Sequence, residues 1–131
     1  MPSTPPLILL IGQDVTLTYL IERYAERSGY HVHAEPTMPA LSAARDLQPT
    51  TVLFSSIESL EDAQVQLAEL TSWEIPLLVC SSINDQARAR ELGADYCLVH
   101  PLAYDSFLAA LTITSVPAAA RRQPNEPEEA A

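Results

Sequence analysis

Two pairs of hydroxyls and one histidine are placed where chemistry could be done. Ser55-Ser56 closes the apolar run Thr51-Val52-Leu53-Phe54, Ser81-Ser82 closes Ile75-Pro76-Leu77-Leu78-Val79-Cys80, and His100 stands before Pro101 after Leu98-Val99. Gly12, Gln13 and Asp14 follow a first apolar run, Leu7-Ile8-Leu9-Leu10-Ile11. If these runs are neighbouring strands of a parallel sheet, the residues after them open into one crevice, where open α/β sheets bind ligands. A serine near a histidine raises nucleophilic catalysis, in which the imidazole takes the hydroxyl proton. No carboxylate in the pattern orients His100 and no oxyanion hole is visible, so a hydrolase is not expected. Gln13, Ser55, Ser56, Ser81, Ser82 and His100 instead make a neutral, hydrogen-bonding crevice. With the positive end of a helix it could hold an anion or small ligand, or its hydroxyls could satisfy one another and nearby backbone. His31 and His33 alternate on one face of a short run. No cysteine or acid pair beside them completes a metal set.

Those residues need elements to carry them, and the periodicity supplies a set. The uniformly apolar runs suit strands covered on both faces. Strands are expected over 7–11, 30–34, 51–55, 75–80 and 95–99. Between them apolar residues recur at helical spacing: Leu17, Leu20, Ile21 and Tyr24; then Leu41, Ala44 and Leu47; then Leu60, Ala63, Leu67 and Leu70. Asp14 is placed to cap the first helix and Gly29 to end it. A capping box is read at Ser59-Leu60-Glu61-Asp62, with Asp replacing the usual Glu. Asn84 is expected to cap a fourth helix ending at Gly93. A fifth begins near Tyr104 and turns Phe107, Leu108, Leu111 and Val116 inward. Trp73 is expected to plug the bottom of the core. Alternating strands and helices leave few topologies. The expected fold is α/β: a flavodoxin-like three-layer sandwich with a five-stranded parallel sheet of order 2-1-3-4-5 and five helices.

The chain has 131 residues, enough for one domain with one sizeable core. Residues 1–6 read as a flexible arm, 7–116 as the domain, and 117–131 as a disordered tail or linker. Acidic residues number 17 against 7 basic, giving a net charge of −10. That balance disfavours nucleic acid and anionic membrane as partners. All the basic residues are Arg. Without Lys, Schiff-base chemistry and a phosphate-loop lysine are excluded. No apolar run approaches the ~20 residues of a membrane span. Cys80 and Cys97 sit inside apolar patterns and read as small buried side chains in a reducing, cytoplasmic setting.

Three blocks carry a further signal: Ile75-Pro76-Leu77-Leu78-Val79, Arg90-Glu91-Leu92-Gly93-Ala94-Asp95 and Leu98-Val99-His100-Pro101-Leu102. With Leu20, Gly29-Tyr30 and the first apolar run, they make residues 6–116 resemble a response-regulator receiver domain of two-component signalling. The resemblance implies phosphorylation of an aspartate with Mg²⁺. It calls for an acidic pair after the first strand, an acceptor Asp after the third, a hydroxyl after the fourth and Lys-Pro after the fifth. In this chain the acidic pair falls on Gly12 and Gln13, with Asp14 one step beyond. The acceptor falls on Ser55, the hydroxyl on Ser81, the Lys on His100 and the strand-five aromatic on Cys97, beside Tyr96.

These departures agree physically. A hard divalent cation wants carboxylate oxygens, and without them a buried Lys would be unpaired, whereas His can sit there neutral. The expectation is a degenerate pseudo-receiver: not an enzyme, without cofactor or metal, acting through contact with a protein partner. The resemblance places signalling on the fourth helix, fifth strand and fifth helix, where Arg88, Glu91, Tyr96 and Tyr104 are the candidate interface residues and a homodimer is possible.

Overall fold

The computed structural model of the chain describes residues 5–114. Most of the expected arm, the whole expected tail and Val116 lie outside the described residues. The strands are β1 (Leu7–Ile11), β2 (His31–Glu35), β3 (Thr51–Phe54), β4 (Leu77–Ser81) and β5 (Tyr96–Val99). All pair in parallel, in the order β2-β1-β3-β4-β5, as the alternation of elements predicts. The helices are α1 (Val15–Ser28), α2 (Leu41–Leu47), α3 (Ile57–Asp62), α4 (Gln64–Ser72), α5 (Gln86–Glu91) and α6 (Tyr104–Thr114).

The uniformly apolar strands are covered on both faces. Leu9, Ile11, Val52, Phe54, Leu77 and Val79 point to one side, against Ala44, Leu60, Leu67, Leu70 and Ala89 of α2 to α5. Ile8, Leu10, Leu53, Leu78 and Cys80 point to the other, against Leu17, Ile21, Phe107, Ala110 and Leu111 of α1 and α6. The period of two along each strand thus divides one sheet between two cores, giving three layers. It also puts Cys80 and Cys97 against opposite cores, and both are free thiols.

α1 and α6 are joined by more than apolar packing. The Tyr24 hydroxyl donates to the Leu102 carbonyl at 3.1 Å, and the Tyr24 and Tyr104 rings meet edge-on at 5.4 Å. Ser28 Oγ lies 3.2 Å from the Tyr104 hydroxyl, and the Arg27 guanidinium lies over the Tyr104 ring at 3.9 Å. α1 begins as expected, with Asp14 Oδ1 accepting from the Leu17 amide at 2.9 Å, and ends at Gly29, which is left-handed at φ 82°.

Six helices are present where five are expected. The third is broken at Ala63, whose backbone leaves the helical region at φ −95° and ψ 7°. The cause lies in the next side chain. In an uninterrupted helix the Leu60 carbonyl would accept from the Gln64 amide. Here it accepts from the Ala63 amide at 3.2 Å and from Gln64 Nε2 at 3.1 Å, and the same nitrogen reaches the Leu92 carbonyl beyond α5 at 2.9 Å. A side chain inserted into the ladder interrupts it.

Two expected caps are corrected. α3 is capped by Ser56, whose Oγ accepts from the Ser59 amide at 3.1 Å, so the helix starts before the expected box at Ser59. Asn84 lies inside a 3₁₀ turn, Ile83–Asp85, and α5 starts only at Gln86, because Ser82 turns the chain first and bonds Asp85 Oδ2 at 3.1 Å. Trp73 packs against the lower core, with Arg45 stacked 4.8 Å over its ring.

Candidate functional site

Every strand end named from sequence opens on the carboxyl edge of the sheet. Ser55 continues β3, its amide donating to the Ile11 carbonyl at 2.8 Å, so it sits directly beside Gly12. The fit is close. Gly12 has φ 147°, and a Cβ built there would lie 1.7 Å from Ser55 Oγ and 3.1 Å from Ser59 Oγ. The serine hydroxyl therefore fills the volume that a side chain at position 12 would need. Ser55 is 4% exposed, and its Oγ has no hydrogen-bond partner among the described residues.

Gln13 and Asp14 are exposed and lie on the same side as Ser55. They line a cavity of about 330 Å³ with Met38, Glu58 and Asp62. Ser81 and His100 open instead into a second, shallower cavity of about 530 Å³, with Glu61, Asp85 and Arg88. Ser56 and Glu58 line both. The segment entering α3 thus splits what the sequence suggests as one crevice: Gln13, Asp14 and Ser55 stand in one compartment, Ser81 and His100 in the other, and Gly12 beneath Ser55.

The Ser81 hydroxyl is turned inward. It donates to the Ser82 carbonyl at 3.1 Å and lies 2.8 Å from Cys97 Sγ. With its proton spent on the carbonyl, it accepts from the thiol. The residue expected at the hydroxyl position is thus bonded to the one expected at the strand-five aromatic position. Beside it, burial pushes the Cys80 thiol up to about 12, and Cys97 and Asp14 add to the shift. Cys80 stays a neutral apolar filler.

The crevice is not neutral, which corrects the reading of it as a neutral ligand or anion pocket. Glu58, Asp62, Glu61 and Asp85 stand around the hydroxyls. From sequence Glu61 and Asp62 read only as part of a capping box; α3, starting at Ile57, carries Glu58, Glu61 and Asp62 to the cavity walls, and the 3₁₀ turn carries Asp85. The Arg88 guanidinium bonds Glu61 Oε2 at 2.8 Å, a hydrogen bond that pushes the guanidinium above its ordinary value. An anion entering either compartment meets like charge.

Mg²⁺ finds a poor donor set here. Gly12 and Gln13 carry no carboxylate, and Asp14 spends one oxygen on the α1 cap. Among the described residues no three His, Cys, Asp or Glu side chains converge as metal ligands. On the edge strand His33 pairs with Glu35 at 2.7 Å, and His31 is exposed.

The four interface candidates separate. Arg88 leans toward α3 through Glu61, with Glu91 3.9 Å away and exposed. Tyr96 is half-buried against the core under α1 and α6. Tyr104 is held by Tyr24, Arg27 and Ser28 of α1. Sequence spacing places these residues on adjacent elements but does not tell which neighbour a tyrosine turns to.

No protein-family model matches the sequence, and no curated protein matches it. Solved structures do match. The chemotaxis response regulator CheY4 of Vibrio cholerae is similar with a TM-score of 0.69 at 16% identity, over 85% of this chain and 99% of that one. The N-terminal domain of the nisin resistance regulator NsrR, a lantibiotic response regulator, gives 0.67 at 24% identity, over 84% and 97%. The BeF3-activated receiver domain of RstA from Klebsiella pneumoniae gives 0.69 at 18% identity, over 84% and 98%. At these identities what is shared is the fold, and the fold is that of the response-regulator receiver domain.

Proposed function

We propose that this receiver-fold domain signals through protein–protein contact without being phosphorylated on an aspartate. The observation that carries the reading is the interlock of Ser55 with Gly12. An acyl phosphate needs a carboxylate at the acceptor position, and a hydroxyl stands there instead, buried and seated on the backbone where the acidic pair would begin. A serine hydroxyl is a weak nucleophile without a base, and His100 opens into the other compartment. The Mg²⁺ that would neutralise an incoming phosphoryl group lacks its ligands. The Ser81–Cys97 contact supports the same reading, because a population shift needs differential binding energy and no phosphoryl group supplies it.

Contact then falls to surfaces. No helix among the described residues is long and apolar enough to cross a membrane. The face formed by α5, β5 and α6 is the proposed docking face, for a signalling protein or a second copy of the chain in the cytoplasm. Support comes from exposed apolar side chains on these elements: Ile83, 67% exposed just before α5, and Leu108 and Ile113 on α6, of which Leu108 is exposed where the helical spacing expects it inward. Light-scattering mass tests the homodimer. A mass that stays that of one chain into the high micromolar range rejects it.

The signalling reading is tested with BeF₃⁻ and Mg²⁺, which together mimic an aspartyl phosphate. Titrated into isotope-labelled protein, they are expected to leave the amides of Asp14, Ser55, Ser81 and His100 in place. Saturable shifts at those residues that spread to β5 and α6 would sink the proposal and establish a working phosphorylation switch.

A further inference from the structure

We propose that the compartment holding Ser55 binds a small organic cation, a guanidinium or ammonium group on a short alkyl chain. The proposal is independent of the signalling reading. Three carboxylates reach this cavity, Asp14, Glu58 and Asp62. None of them is in an ion pair among the described residues, and no Arg or His lines the cavity. In the neighbouring compartment, by contrast, Glu61 has its Arg88.

The second observation is the hydroxyl. Ser55 is 4% exposed, lines the cavity and has an Oγ with no hydrogen-bond partner among the described residues. The Oγ is not among the sealed-off unpartnered atoms, so it keeps access to the cavity and offers a free acceptor to a ligand's N–H. A guanidinium or ammonium can reach both hydroxyl and carboxylates, and charge-assisted bonds of this kind are the stronger ones. The remaining wall includes Ile11 and Met38, which suits a carbon chain and offers nothing to a hydrated metal ion. The absence of three converging ligands among the described residues points the same way. A cavity of about 330 Å³ has the size of a small-ligand site.

The chemistry is shared by a free alkyl cation and by an arginine side chain presented by a partner protein. The test therefore has two probes, agmatine and a Gly-Arg-Gly amide, titrated into the labelled full chain at low salt. Saturable amide shifts are expected at Asp14, Met38, Ser55 and Glu58 with at least one probe. Saturation by agmatine identifies a free ligand as sufficient, and saturation by the peptide alone identifies a presented arginine. The pair Glu58→Gln and Asp62→Asn should weaken binding by about tenfold or more, since two charge-assisted contacts are lost. Ser55→Ala should weaken it while the rest of the spectrum keeps its native dispersion. The proposal is overturned if neither probe saturates, if the charge-neutral pair binds equally well, or if MgCl₂ reproduces the same shifts.

Discussion

Gly12 and Ser55 occupy one small volume, and single substitutions there should read out strongly. Gly12→Ala puts a methyl 1.7 Å from Ser55 Oγ at a φ of 147° that L-residues avoid. We expect a loss of about 2–4 kcal/mol in urea unfolding, from overpacking together with backbone strain. Adding Ser55→Gly should return part of that loss, and a double-mutant cycle with no coupling would show that the two residues do not interlock. Cys80 gives a second prediction. Its thiol is raised from an ordinary 9.0 to about 12 in the folded chain. The unfolded chain therefore ionises first, and the stabilisation, whole below pH 9.0, is lost as pH rises toward about 12. Alkaline melts of Cys80→Ala should lack that part of the decline. A thiol reagent near neutral pH should leave native Cys80 untouched while reacting with half-buried Cys97.

At the level of elements, the break between α3 and α4 depends on Gln64. Gln64→Ala strips a donor from the carbonyls of Leu60 and Leu92 together. The Leu60 carbonyl keeps the Ala63 amide at 3.2 Å, so the expected loss of about 1–3 kcal/mol is the cost of leaving the Leu92 carbonyl unsatisfied. Hydrogen exchange should quicken in α4 and at the end of α5; exchange unchanged in α5 would refute the tie. This break could not be read from the sequence, because Leu60, Ala63, Leu67 and Leu70 keep helical spacing straight through it. The interrupting bond runs to Leu92, 28 residues away. The strands were legible for the opposite reason: runs such as Leu7–Ile11 are apolar on both faces, a local signal that only a doubly covered strand satisfies. The cap of α1 was legible because Asp14 acts on an amide three residues on. At α3, Ser56 and Ser59 both fit the cap pattern, and only the path of the chain from β3 selects Ser56. Tyr104 illustrates the same limit. Its neighbours Arg27 and Ser28 come from the other end of the chain.

For the whole molecule the dominant quantity is charge. A net −10 with unpaired carboxylates around the carboxyl edge means self-repulsion in the folded state. Raising NaCl from about 0.02 M to about 0.3 M should lift Tm by a few degrees as the repulsion is screened. A Tm that falls with salt would mean that attractive surface pairs such as Arg88–Glu61 outweigh it. The net charge was legible by counting, but its gathering on the site was not. Glu58 and Asp62 reach the cavity only because α3 starts at Ile57 and turns both toward the end of β1. The clasp between α1 and α6 reaches beyond stability, into the making of the protein. The faces of Leu17 and Ile21 wait for Phe107 and Leu111, residues made almost a hundred codons later. During synthesis the first helix can lie against strand residues made near it, Ile8, Leu10 and Val32, but the part of its face that meets α6 stays open until the last helix leaves the ribosome. The growing chain must be kept from sticking to its neighbours until then, and its final layer can form only once translation has passed α6.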